Sequence, residues 1–152
     1  MIDNVPIVCA FPGTGKSYAT EQFLKYGIKV SDSDSSNFDK SEFPQNYIKH
    51  LKEMRYKQTL TFASSHKVVR EALLKEKVPF YVVVPDISLK DEYLKRYKQR
   101  GSNESFIKLI SDNFETWINE IIDDGNKGLY SVVVLKNKED TIFSKLSKYY
   151  IF

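Results

Sequence analysis

Two of the six glycines in this 152-residue chain stand two positions apart, in Ala10-Phe11-Pro12-Gly13-Thr14-Gly15-Lys16-Ser17. A short apolar run precedes that segment and a helical pattern follows it, which dictates a strand–loop–helix unit near the N-terminus. Glycines at positions 13 and 15 let the backbone take positive φ, so successive N–H groups can converge at the positive end of a helix. Such a cradle is filled by a phosphate. Lys16 can reach the β- and γ-phosphates of a nucleotide, and the Ser17 hydroxyl can ligate Mg²⁺. The residues from Pro12 to Tyr18 are therefore the expected nucleotide contacts. Ala10 stands where the pattern G-x-x-x-x-G-K-[ST] begins with glycine, which fits if that position keeps negative φ and has room for one methyl group.

The rest of the chain continues the alternation. Apolar, β-branched runs at 5–10, 60–63, 80–84 and 130–135 read as strands covered on both faces, with a further strand at 28–31. Helical spacing of apolar residues marks 16–26, 45–58, 66–76, 89–99, 104–122 and 141–149. Strands alternating with helices imply βαβ crossovers, hence a parallel sheet with helices on both faces. Ligands of such sheets bind beyond the carboxyl ends of the strands. The six glycines have backbone tasks in this reading: Gly27 precedes a strand, Gly101 ends a helix, and Gly125 and Gly128 frame the turn before the last strand.

Composition narrows the function classes. A hydrophobic share of 41% supports a core in one domain spanning 1–152, without repeats or linkers. A net charge of +3 falls short of a basic stripe for nucleic acid, so nucleic acid is not an expected partner. The single Cys9 excludes an internal disulfide and reads as a small buried hydrophobe. No apolar run approaches the ~18–20 residues of a spanning helix, and Met1 to Val5 do not resemble a signal peptide. A cytoplasmic monomer or homodimer is expected.

Further candidates surround the loop. Asp32-Ser33-Asp34 ends the second strand, and carboxylates two apart in extended chain project to one side. Asp32 could hold a Mg²⁺-bound water while Asp34 accepts a proton from a hydroxyl; a polar turn is the alternative. Arg96 and Arg100 share a helix face and could neutralise a transferring phosphoryl group, or form a solvated basic face. The segment 36–58 offers Arg55, with Lys49, His50, Lys52 and Lys57, as an anchor for an acceptor phosphate. Arg70 could contact phosphate or pair with Glu71 or Glu76. His66 could contact substrate or simply start a helix. Asn137-Lys138-Glu139-Asp140 fits the N-K-x-D pattern of guanine readers, but the chain contains no D-x-x-G, so Asn137 is expected only to border a nucleotide base.

With these residues in place, the chain resembles the small P-loop kinases of the nucleoside-monophosphate-kinase fold, including shikimate and gluconate kinases. The loop from Pro12 to Ser17 carries the closest likeness. Asp32-Ser33-Asp34, Phe62-Ala-Ser-Ser-His66, Val69-Arg70-Glu71-Ala72-Leu73 and the run from Leu94 to Gly101 add landmarks. The resemblance implies a three-layer fold with a five-stranded parallel sheet of order 2-3-1-4-5. It also implies use of ATP and Mg²⁺, an acceptor segment at about 36–58 and an arginine-bearing helical lid at about 89–105. Lys16, Asp34, Arg96 and Arg100 would be catalytic, Ser17 and Asp32 metal-side, and Asp34, Arg55 and Arg70 acceptor-side. A nucleoside monophosphate is the first acceptor expected; a hydroxyl acceptor (sugar acid, nucleoside or polynucleotide 5′-hydroxyl) and an ATPase or nucleotide-binding module are the alternatives.

Overall fold

The computed structural model describes residues 6–150. The β-branched runs become five strands: β1 (Ile7–Ala10), β2 (Val30–Asp32), β3 (Leu60–Ser64), β4 (Phe80–Pro85) and β5 (Ser131–Leu135). They form one all-parallel sheet in the order β2-β3-β1-β4-β5, which coincides with the expected strand order. Strand β1 lies in the centre, with Ala10 opposite Ser64 of β3 on one side and Val83 of β4 on the other. Val5, expected to open the first strand, lies outside the described residues.

Six α-helices connect the strands: α1 (Lys16–Lys25), α2 (Gln45–Tyr56), α3 (Lys67–Lys75), α4 (Lys90–Gln99), α5 (Glu104–Asn126) and α6 (Ile142–Tyr150). Period-two alternation along β1 divides its side chains between two cores. Ile7 and Cys9 join Tyr47, Leu51, Val69, Leu73, Tyr93, Tyr97, Phe114 and Ile118, so α2 to α5 cover that face. Val8 and Ala10 join Ala19, Phe23, Ile142 and Leu146, so α1 and α6 cover the other. A sheet buried on both faces explains why its central strands read as continuous apolar runs.

Helix α5 departs from expectation. It runs through Gly125, which had been placed in a turn. A Cβ at Gly125 would lie 2.6 Å from Cγ2 of Val132, so glycine lets the helix end press directly against β5. Close packing there outweighs the ~1 kcal/mol that glycine costs a helix interior. None of the helices among the described residues is long and apolar enough to cross a membrane.

Candidate functional site

The segment between β1 and α1 turns at the carboxyl end of the central strand. Gly13 and Gly15 both adopt the left-handed region, with φ of 87° and 94°. Ala10 is still strand, and the only non-glycine residues at positive φ among those described are Gln58 and Lys77. Alanine therefore fits at position 10 without strain. The hydroxyl of Thr14, a buried side chain, donates to the Phe11 carbonyl at 2.7 Å and closes the turn internally. Gly15 caps α1 without any side chain serving the first amides, which leaves donors directed at the loop mouth.

The Lys16 side chain forms no hydrogen bond or ion pair with any described residue, although its charge acts on Asp34 and His66. Beside it, the Ser17 hydroxyl donates to Oδ2 of Asp32 at 3.5 Å. Asp34 is exposed and accepts from the Ser36 amide at 2.9 Å. That hydrogen bond, and then the charge of Lys16, hold its carboxyl below the usual range, so it is ionised at neutral pH. Thus the two carboxylates expected at the end of the second strand do stand by the loop.

Their spacing is set from behind by Tyr47, whose role local sequence pattern did not reveal. This fully buried phenol donates to the Ser33 carbonyl at 2.6 Å and accepts from the Ser64 amide at 3.1 Å, joining the ends of β2 and β3. Ser33, between the two aspartates, is in turn 2.8 Å from Nε2 of His50. Partial burial keeps His50 below the usual imidazole range, so a neutral ring occupies this position at pH 7.

Helix α4 holds the other side of the loop. The Tyr97 hydroxyl donates to the Pro12 carbonyl at 2.7 Å, and Nη1 of Arg96 donates to the Gly13 carbonyl at 3.1 Å. Nη2 of Arg96 donates to the Lys138 carbonyl, tying in the segment after β5. A Cβ on Gly13 would sit 3.0 Å from Tyr97 and 3.1 Å from Tyr93, so glycine is needed here for close approach as well as for φ. Arg96, expected to face a transferring phosphoryl group, is instead committed to protein carbonyls and to the Tyr93 ring, 4.4 Å away. It positions the loop. Arg100 reaches only Ser102 at 3.3 Å and the Tyr97 ring, and stays exposed at the cleft.

That cleft, of about 440 Å³, is lined by Gly13, Gly15, Lys16, Ser17, Arg96 and Arg100, among others. Tyr18 also borders it and meets Phe143 edge-on at 6.0 Å. The segment after β5 touches the loop as well: Ile142 donates its amide to the Thr14 carbonyl at 3.1 Å, and Thr141 lies against Gly15. Asn137 therefore stands in a segment that contacts the loop. Asp140, however, accepts from the Asn137 amide at 3.1 Å and closes its own turn rather than pointing at a ligand.

Two expected acceptor residues lie elsewhere. Arg55 sits near the carboxyl end of α2 and lines clefts with Val78 and Pro79, at the amino ends of the strands. The loop at Gly13 is at the opposite end of the sheet, so Arg55 does not reach it. Connectivity explains the misplacement: α2 runs back antiparallel to the strands, carrying its last turn away from the site. Arg70 is 4% exposed and fully engaged. Its Nε donates to the Ser65 carbonyl at 2.8 Å, and Nη1 donates to Asp124 at 3.2 Å and to the Tyr130 hydroxyl at 3.0 Å. Nη2 pairs with Glu120 at 3.5 Å. Its carboxylates come from α5 rather than from Glu71 or Glu76. Arg70 is a buried tie between α3 and α5, its charge matched by the carboxylates of Glu120 and Asp124.

Among the described residues no cluster of three or more His, Cys, Asp or Glu could hold a metal by itself. Ser17 and Asp32 nevertheless supply two hard oxygen atoms beside Lys16, the donor type Mg²⁺ takes when phosphates and water complete its shell. No family model matches the chain, and a search of curated proteins finds no match.

Proposed function

We propose that this protein is an ATP- and Mg²⁺-dependent phosphotransferase whose acceptor is a hydroxyl group. The observation that carries this reading is the unpartnered Lys16 above a left-handed glycine loop, with Ser17 and Asp32 in contact beside it. An unpaired cation, free helix amides and two oxygen donors together suit a polyphosphate. The Gly13 to Ser17 backbone and Lys16 would hold the nucleotide phosphates, with Tyr18 and the 136–141 segment towards the base. Ser17 and Asp32 would hold Mg²⁺, which supplies neutralisation of the phosphate charge when bound. Arg100 is the free cation across the cleft and would offset charge on the transferred group.

A hydroxyl acceptor is favoured over a nucleoside monophosphate because neither Arg55 nor Arg70 is available to anchor a second phosphate. Asp34, by contrast, is ionised, exposed and within the field of Lys16. The acceptor oxygen would form its bond to the γ-phosphorus as the bond from that phosphorus to the bridging oxygen breaks. ADP would leave, and the hydroxyl proton would pass to Asp34.

An acceptor panel with ATP and Mg²⁺ tests the reading. ADP formed only when one alcohol is present is the expected result. ADP formed with no acceptor would make the protein an ATPase, and ADP formed only with a monophosphate would restore the phosphate acceptor.

A further inference from the structure

Beside the loop lies a second cleft, of about 320 Å³, with none of its lining residues in common with the 440 Å³ cleft. It runs between the start of α3 and the inner face of α5, and Phe11 and Pro12 of the loop form one wall. Ile110, Trp117 and Ile121 form the opposite wall, with Val68 at the rim. Ile110 and Ile121 are almost completely buried, Trp117 is half-buried and Val68 is 47% exposed, so the apolar surface open to a ligand is mainly that of Trp117 and Val68. Phe11 and Pro12 border this cleft, and Gly13, Gly15, Lys16 and Ser17 border the other, so successive parts of one loop line the two.

The charges around this second cleft are already matched. Arg70 is engaged by Ser65, Asp124, Tyr130 and Glu120. Lys67 lies 3.6 Å from Glu120 and 3.9 Å from Glu71. A phosphate or carboxylate entering between Ile110, Trp117 and Ile121 would lose hydration against apolar walls. A flat ring would gain instead, by stacking on Trp117 and filling apolar surface. His66 stands at the mouth; partial desolvation and the charges of Lys16 and Arg70 keep its imidazole neutral at pH 7, able to hydrogen-bond a polar ring edge.

We infer that the cleft between α3 and α5 binds an uncharged planar ring, and that the acceptor is therefore an alcohol that carries one, with nucleosides as the nearest available probes. The assignment as acceptor rests on the phosphotransferase reading; the ring-binding assignment does not.

Trp117 is the only tryptophan of the chain, so its emission reports this cleft directly. The full chain is titrated with adenosine, guanosine, cytidine and uridine, without ATP or Mg²⁺, and with AMP and gluconate as charged counterparts. At least one nucleoside should change the emission saturably. AMP and gluconate should bind at least about tenfold more weakly, since each brings an unpaired charge into apolar surroundings. Val68→Glu, at the exposed rim, should weaken the nucleoside response about tenfold by the same physics while circular dichroism shows the fold intact. The inference is overturned if no nucleoside changes the emission, if AMP binds as tightly as its nucleoside, or if Val68→Glu has no effect. Failure of the phosphotransfer reading shows separately, as unaltered ATP binding in Lys16→Ala.

Discussion

The two ends of the sheet make opposite use of space and charge. At the amino ends of the strands lie two roomy clefts, about 870 and 880 Å³, with Arg55 lining both. Yet Lys52, which lines the second, is paired with Glu76 at 3.0 Å. At the carboxyl ends the clefts are smaller, about 440 and 320 Å³, but they flank a left-handed glycine loop and an unpartnered lysine. Volume alone does not mark chemistry. A site needs free donors and charge held in place, and at this end Lys16 and Arg100 line the cleft beside the loop.

Comparing the ends yields a graded set of expectations. Lys16→Ala should produce the largest effect on function, a loss of phosphoryl transfer of at least about a hundredfold, because one preorganised charge aimed at the reacting group is removed. Its thermal stability should stay close to wild type, since Lys16 has no protein partner to lose. A variant that turns over normally would remove the carboxyl-end site from consideration. Arg70→Met should do the reverse. It strands Asp124 and Glu120 beside a buried hole, and the expected cost is about 3 kcal/mol by chemical denaturation. ATP affinity of the folded fraction should hardly move; a selective loss of binding would return Arg70 to the site.

Tyr47→Phe keeps the ring but deletes the hydroxyl that joins Ser33 and Ser64. A loss of about 1–2 kcal/mol is expected, for two buried backbone groups left without their partner. Turnover should also fall, since the variant loosens the strand end that carries Asp32 and Asp34. Cys9 offers a smaller, purely chemical check. Full burial pushes its thiol up to about 12, with only partial relief from the charges of Arg70 and Lys16. Alkylation at pH 8 should therefore wait for unfolding; rapid labelling of the native protein would show that the centre of the sheet opens. Arg55→Ala, at the amino end, should be smallest, within about 0.5 kcal/mol of wild-type stability and with unchanged turnover. A large drop in turnover would reverse the assignment of the two ends.

Much of this architecture was legible before any coordinates. Strand and helix positions followed from β-branched runs and helical spacing, and the loop from its glycines, because these signals are local. Gly125 misled for the same reason: glycine marks a turn in sequence, whereas here it marks where α5 meets Val132. The three tyrosines that support the site from behind, Tyr47, Tyr93 and Tyr97, looked like ordinary apolar-face residues. Their spacing does report burial, and all three are buried, but nothing local says which carbonyl a phenol will reach. Trp117 was visible only as one residue of a helical stripe, and its place beside Pro12 depends on how α5 crosses the sheet.

By itself, then, the order of residues determined a parallel α/β sheet and one left-handed glycine loop that leads into a helix. Both depend on neighbours along the chain: φ preferences, periodicity and the sequence of a strand, two glycines and a helix. Tertiary structure alone decided which cations stay free. Arg55, Arg70, Arg96 and Lys16 are all basic residues of helices, equally eligible on paper. Arg55 is carried to the far end by the direction of α2, Arg70 is matched by carboxylates 50 and 54 residues away, and Arg96 is claimed by the carbonyls of Gly13 and Lys138. Such pairing depends on distance in space rather than along the chain, and it leaves Lys16, with Arg100 across the cleft, as the charges available to a ligand.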